Sequence, residues 1–130
     1  MMIYPDKEKI LEYNLLALTI IKAKKGDQPK VLNEHAIDIV IEDCKKLEGD
    51  IYEKAILLLK GLIQKHPFAS GNRRTAFIVT KEFLLKNGGV FRIKDDPIQA
   101  SVMQGIRENF YKEEEIKEWI RNGKIRKFER

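Results

Sequence analysis

Apolar residues recur at helical spacing along almost the whole chain, and the pattern breaks at Gly, Pro, Asn and Asp. The periodicity predicts an all-α protein, a compact bundle of about six helices. A first helix is expected from about Asp6 to Lys25, with Ile10, Leu11, Leu15, Leu18 and Ile21 facing inward, ending at "GDQP". A second spans about Asn33 to Leu47, with Asn33 as N-cap and Gly49 as the C′ residue beyond its end. Asp50 is placed to cap a third, "IYEKAILLLKGLIQK", where Ala55, Leu58, Leu59, Leu62 and Ile63 form a wide apolar stripe and Gly61 permits close approach of a neighbour. Pro67 disfavours helix at the residue before it, so this helix finishes near Lys65 or His66.

A fourth helix starts at Asn72 or Arg73 and stops at "NGG". Ala76, Phe77, Ile78, Val79, Phe83, Leu84 and Leu85 surround most of its circumference, which predicts the central helix of the bundle. "VFRI" reads as one short extended segment. A fifth helix follows over about Pro97 to Phe110 and a sixth over about Glu113 to Asn122, with Ile116, Trp119 and Ile120 inward and the acids of "KEEE" favouring its start.

The chain has 130 residues, read as a single domain over 1–130, and it carries 43% apolar and 35% charged residues. No apolar run approaches the ~20 residues that cross a bilayer, so no membrane partner is expected. "MMIYPDKEKI" has no basic region followed by an apolar core, so no signal peptide is expected either. A lone cysteine, Cys44, reads as a small buried hydrophobe and suits a reducing cytoplasm. The net charge of +5 is mixed along the chain until "RNGKIRKFER", which lacks the aromatic pattern of a nucleic-acid binder and reads as a solvated, frayed end. His35 has no metal-like partner at i+4 and reads as a surface or capping residue.

The chemistry concentrates in "HPFASGNRRTAF", His66 to Phe77. Two arginines open a helix whose first turn already carries the positive end of the macrodipole, a placement that favours a bound anion. Gly71 lets a ligand approach the backbone, Asn72 is placed to cap, and the N–H groups of Arg73, Arg74 and Thr75 form a phosphate cradle. The guanidinium groups add bidentate contacts, and His66 is positioned to take a proton from an attacking hydroxyl. The same residues also suit a structural loop, with His66 capping the third helix, Phe68 plugging the core and the arginines paired to surface acids.

"HPFASGNRRTA", preceded by "DIYEKAILLLKGLIQK" and followed by "FLLKNG", resembles the Fic/Doc family signature H-P-F-x-[DE]-G-N-[GK]-R, and looks closest to the death-on-curing (Doc) branch. The resemblance implies an all-helical fold, ATP as co-substrate with Mg2+, and transfer of phosphate or AMP to a Ser, Thr or Tyr hydroxyl of a target protein. It makes His66 the general base, Phe68 the loop anchor, and Gly71, Asn72, Arg73 and Arg74 the phosphate site. Phe77 stands where AMP-transferring members have a second arginine, which favours phosphate transfer. Ser70 stands where the family has the Asp or Glu that binds Mg2+, which leaves two readings: a transferase, or a Fic/Doc fold that binds nucleotide or a protein partner without catalysis. "CKKLEG", Cys44 to Gly49, is near the family's inhibitory [ST]-x-x-x-E-[GN] pattern but reads as an ordinary helix end. Control then falls to a separate antitoxin.

Overall fold

The computed structural model describes residues 1–20 and 30–129, in which the chain forms α1 (Lys7–Ile20), α2 (Glu34–Lys46), α3 (Ile51–Lys65), α4 (Asn72–Lys86), α5 (Pro97–Arg107) and α6 (Glu113–Asn122). No strand occurs among the described residues, so the all-α expectation holds. Ile21, Lys25, "GDQP" and the final Arg130 lie outside them. Local side chains set most of the helix starts. Asn33 accepts from Ala36 N–H at 3.1 Å, Asp50 from Tyr52 and Glu53 N–H at 2.9 Å each, and Asp96 from Ile98 N–H at 3.0 Å. At α6 the Lys112 N–H donates to Glu115 Oε1 at 3.1 Å, half of a capping box.

Helix ends are set by backbone. After α4, Gly88 turns left-handed (φ 80°) and Gly89 N–H returns to Leu84 O at 2.8 Å, as "NGG" predicts. Helix α5 ends before the expected Phe110, because Asn109 enters the left-handed region (φ 58°) and Phe110 N–H returns to Gly105 O. The second helix ends at Lys46 with Leu47, in extended conformation, as its C-cap, so Gly49 is not the C′ residue. Its last carbonyls are met from another helix: the buried Lys54 of α3 donates to Cys44 O at 2.7 Å and Leu47 O at 2.6 Å, with its ammonium 5.3 Å from the Tyr4 ring centre.

The central helix is α3, not α4 as the apolar circumference suggested: α3 packs against α2, α4, α5 and α6, whereas α4 packs mainly on α3 and α1. Ala55, Leu58, Leu59, Leu62 and Ile63 are all buried. A Cβ on Gly61 would stand 2.9 Å from Val40 Cγ2, so the glycine is what lets α2 and α3 close. Two expected core leucines are instead half exposed, Leu15 at 52% and Leu85 at 52%. On α1 the buried stripe is Ile10, Asn14, Ala17 and Leu18, an i, i+4, i+7, i+8 row that passes through a polar residue and turns Leu15 outward. On α4 the row Ala76, Val79, Thr80, Phe83 likewise leaves Leu85 off the stripe.

"VFRI" pairs with no strand. Arg92 N–H donates to Ile120 O at 2.7 Å, Phe91 meets Phe77 edge-on at 5.2 Å, and Ile93 is buried. The tail is docked rather than frayed. Arg126 binds Glu115 (Nε to Oε2, 2.5 Å) and Phe110 O, and stacks 4.0 Å from the Phe110 ring centre, while Tyr111 Oη donates to Arg126 O. Apolar Ile125 and Phe128, interleaved with the basic residues, pack on the core and hold the segment.

Candidate active site

The loop between α3 and α4 is built inward from Phe68. His66 closes α3 in the left-handed region (φ 49°, ψ 57°), a conformation that directs the chain across the bundle. Phe68 is buried with 1% of its surface exposed and fills the core below the loop, as expected of an anchor. Its backbone N–H and C=O are both satisfied by one side chain: Asn72 Oδ1 accepts from Phe68 N at 3.0 Å and Asn72 Nδ2 donates to Phe68 O at 2.8 Å. Asn72 is therefore not the cap of α4. It is the first residue of the helix, and its amide staples the loop.

The cap position belongs to Gly71 (φ 79°), where a Cβ would also crowd Asn14 Nδ2 and Leu18 Cδ2 at 3.3 Å each. Asn14, from α1, donates to Ser70 O at 2.9 Å and Thr75 Oγ1 at 3.1 Å, fixing both sides of the turn. On the other flank Val31 bridges Phe68 antiparallel, with Leu32 N–H on Pro67 O (2.8 Å) and Ala69 N–H on Lys30 O (2.9 Å). The backbone of Ser70 to Arg74 is thus held from α1 and from the segment before α2.

A cleft of about 350 Å³ opens over this turn. The loop and α4 contribute His66, Ser70, Gly71, Asn72, Arg73 and Arg74; Ile63 of α3 and Arg107 of α5 complete it. So every predicted site residue lines one cleft except Phe68, which anchors it from below. The cradle differs from expectation in one donor. Thr75 N–H is taken by Gly71 O at 2.8 Å, whereas the amides of Arg73 and Arg74 have no acceptor among the described residues and are available to an anion.

The cations are not equivalent. Arg74 grips Asp95 with both arms (Nη1–Oδ1 2.5 Å, Nη2–Oδ2 2.8 Å) and lies 5.4 Å from the Phe77 ring centre. That hydrogen-bonded pair raises the Arg74 pKa and lowers that of Asp95. Arg73 donates through Nη2 to the neutral Gln104 Oε1, whose amide donates to Glu108. Arg107 has no ion-pair or hydrogen-bond partner among the described residues. Burial first, and then the charges of Arg107 and Arg73, push the His66 pKa below its ordinary 6.5, so the imidazole is neutral near pH 7.

The donor set does not fit Mg2+. Ser70 offers a neutral hydroxyl, and among the described residues no carboxylate lines the cleft and no cluster of three His, Cys, Asp or Glu could bind a metal. Sequence reasoning missed Asn14, Asp95 and Arg107, all distant in the chain. Glu48 of "CKKLEG" is exposed and not among the lining residues. His35 is exposed as expected, and Cys44 is fully buried with its thiol pushed up to about 11 by burial.

The model of the Fic/DOC family matches residues 28–84, which contain α2, α3, the stapled loop and nearly all of α4. The six-helix, strand-free architecture of the described residues is consistent with the fold of that family. No curated protein matches the chain. No helix among the described residues is long and apolar enough to cross a membrane.

Proposed function

We propose that the cleft binds the phosphates of ATP and that the chain transfers phosphate, or else AMP, to a Ser, Thr or Tyr hydroxyl of a target protein, as a Doc-like toxin or regulator in the cytoplasm. One observation carries the reading: His66, whose protonation burial and two arginines disfavour, lines the same cleft as the amides of Arg73 and Arg74, which have no acceptor among the described residues. His66 takes the proton of the attacking hydroxyl as its oxygen forms the new bond to phosphorus. The phosphorus–oxygen bond to the leaving group breaks in the same displacement, releasing ADP for phosphate transfer or pyrophosphate for AMP transfer. The helix N-terminus and the arginines hold the phosphoryl oxygens as negative charge shifts to the leaving group. Phe77, buried beneath Arg74 where a second motif arginine would stand, favours phosphate over AMP. Because Glu48 is not a cleft residue, a separate antitoxin suits the chain better than inhibition from within.

The absence of a carboxylate from the cleft lining among the described residues, together with the neutralisation of Arg74 by Asp95, favours a second reading, a fold that binds nucleotide or a protein partner without transfer. Purified protein incubated with a lysate and ATP labelled at the γ or the α position separates the two. Transfer predicts labelling of a lysate protein that His66→Asn abolishes. Asn tolerates the left-handed backbone at this position, so the variant stays folded. Nucleotide binding with no label from either position leaves the second reading.

A further inference from the structure

Three guanidinium groups converge on the cleft, from two different helices, and among the described residues no carboxylate lines it. Their charge is unevenly spent. Asp95 offsets Arg74, but Arg73 meets only a neutral amide oxygen and Arg107 meets no partner among the described residues. Like charges on opposite walls of a cleft repel and raise the free energy of the empty site, and an anion between them turns that repulsion into attraction. Guanidinium forks match phosphoryl oxygens two at a time and need no metal to bridge them. Both Arg73 and Arg107 lie close enough to His66 to disfavour its protonation, so their charges act at the same spot.

We infer that this cleft holds a nucleotide's phosphate groups by arginine charge without a divalent cation, with Arg107 of α5 as the third phosphate ligand beside Arg73 and Arg74. The inference rests on the nucleotide-binding reading of the cleft but not on transfer. Ser70 is then no defect: a carboxylate at that position would compete with the bound phosphate once no cation stands between them. Arg107 comes from outside the segment that matches the family model, so it does not follow from the motif.

The test is calorimetric titration of the full chain with ATP, and separately with inorganic pyrophosphate, in EDTA and in excess Mg2+. Binding in EDTA within about threefold of that in Mg2+ is expected, with affinity falling about tenfold or more in Arg107→Gln and partly recovered in Arg107→Lys. Arg107 is exposed and makes no described contact that folding needs, so both variants fold; thermal unfolding checks this. In parallel, the His66 ring resonances titrate at higher pH in Arg107→Gln, and addition of pyrophosphate in EDTA raises the His66 pKa of the parent protein. Binding that requires Mg2+, or an affinity unchanged in Arg107→Gln, overturns the inference while leaving the transfer reading intact. Metal-free binding without any protein labelling supports the inference and removes transfer. Absence of binding under both conditions removes both.

Discussion

Replacing Asn72 by alanine tests whether the loop is held as described. The side chain makes two hydrogen bonds to one residue, accepting from Phe68 N–H and donating to Phe68 C=O, and both partners belong to a residue that is 1% exposed. Neither Phe68 group has another described partner. Truncation leaves a donor and an acceptor buried together, and each orphan costs about 1–3 kcal/mol, so the pair costs about 2–6 kcal/mol. Alanine returns about 0.5 kcal/mol through its better helix propensity in the first turn of α4. The net loss is then about 1.5–5.5 kcal/mol, to be read as a lower urea midpoint at unchanged slope. Asn72→Asp costs less than Asn72→Ala, because it keeps the acceptor for Phe68 N–H and places a negative charge at a helix start, a term of about 0.3–1 kcal/mol. A loss below about 1 kcal/mol for Asn72→Ala, with the slope unchanged, would refute the staple, since even one orphaned buried group costs that much.

Further outcomes follow from the same contacts. Gly61→Ala gains about 1 kcal/mol of helix propensity but drives a Cβ to within 2.9 Å of the stiff Val40 side chain, for a net loss of about 1–2 kcal/mol. In a double-mutant cycle with Val40→Ala the clash disappears and the coupling is favourable; additive losses would contradict the contact. Lys54→Met preserves the stem volume but leaves Cys44 O and Leu47 O unpaired at the end of α2, costing about 2–4 kcal/mol and lowering hydrogen-exchange protection in the last turn of α2 first. His66 sits below 6.5 in the native state, so between that value and its unfolded pKa the unfolded chain binds a proton that the native chain refuses. Stability is therefore complete above pH 6.5 and falls as pH drops through that window, and His66→Asn flattens this part of the profile in urea titrations. Activity that depends on neutral His66 persists below pH 6.5 by the same sign, and a limb above 6.5 would contradict it.

What the sequence made legible was local. The helix starts at Asn33 and Asp50 and the stop at Gly88 and Gly89 each rest on a residue bonding a few positions away, and the motif placed His66, Ser70, Gly71, Arg73 and Arg74 around one cleft. What stayed hidden joins residues far apart in the chain. Asn14 meets the turn across 56 residues and Asp95 meets Arg74 across 21. A buried polar residue on an apolar stripe carries no periodic signature of its own, so nothing in the pattern marks Asn14 and Lys54 as ties between helices. The exposure of Leu15 is the visible trace of that error: the stripe on α1 had to be drawn through Asn14 to be right.

The same distinction separates the motif's structural part from its chemical part. Phe68, Gly71 and Asn72 make their described side-chain or conformational contributions within the protein, filling the core, turning the chain and stapling the loop. Their joint effect is to hold the start of α4 at the cleft, where the amides of Arg73 and Arg74 have no acceptor among the described residues. Such a cradle is preorganised whether or not the loop carries an acid, which is why a serine at position 70 is compatible with an intact turn. In that framework the Ser70 carbonyl accepts from Asn14 Nδ2 at 2.9 Å, a backbone contact that does not depend on which side chain stands at position 70. The charge a ligand meets is then decided outside the motif, by Asp95 drawing on Arg74 from one side and by Arg107, without a partner among the described residues, on the other.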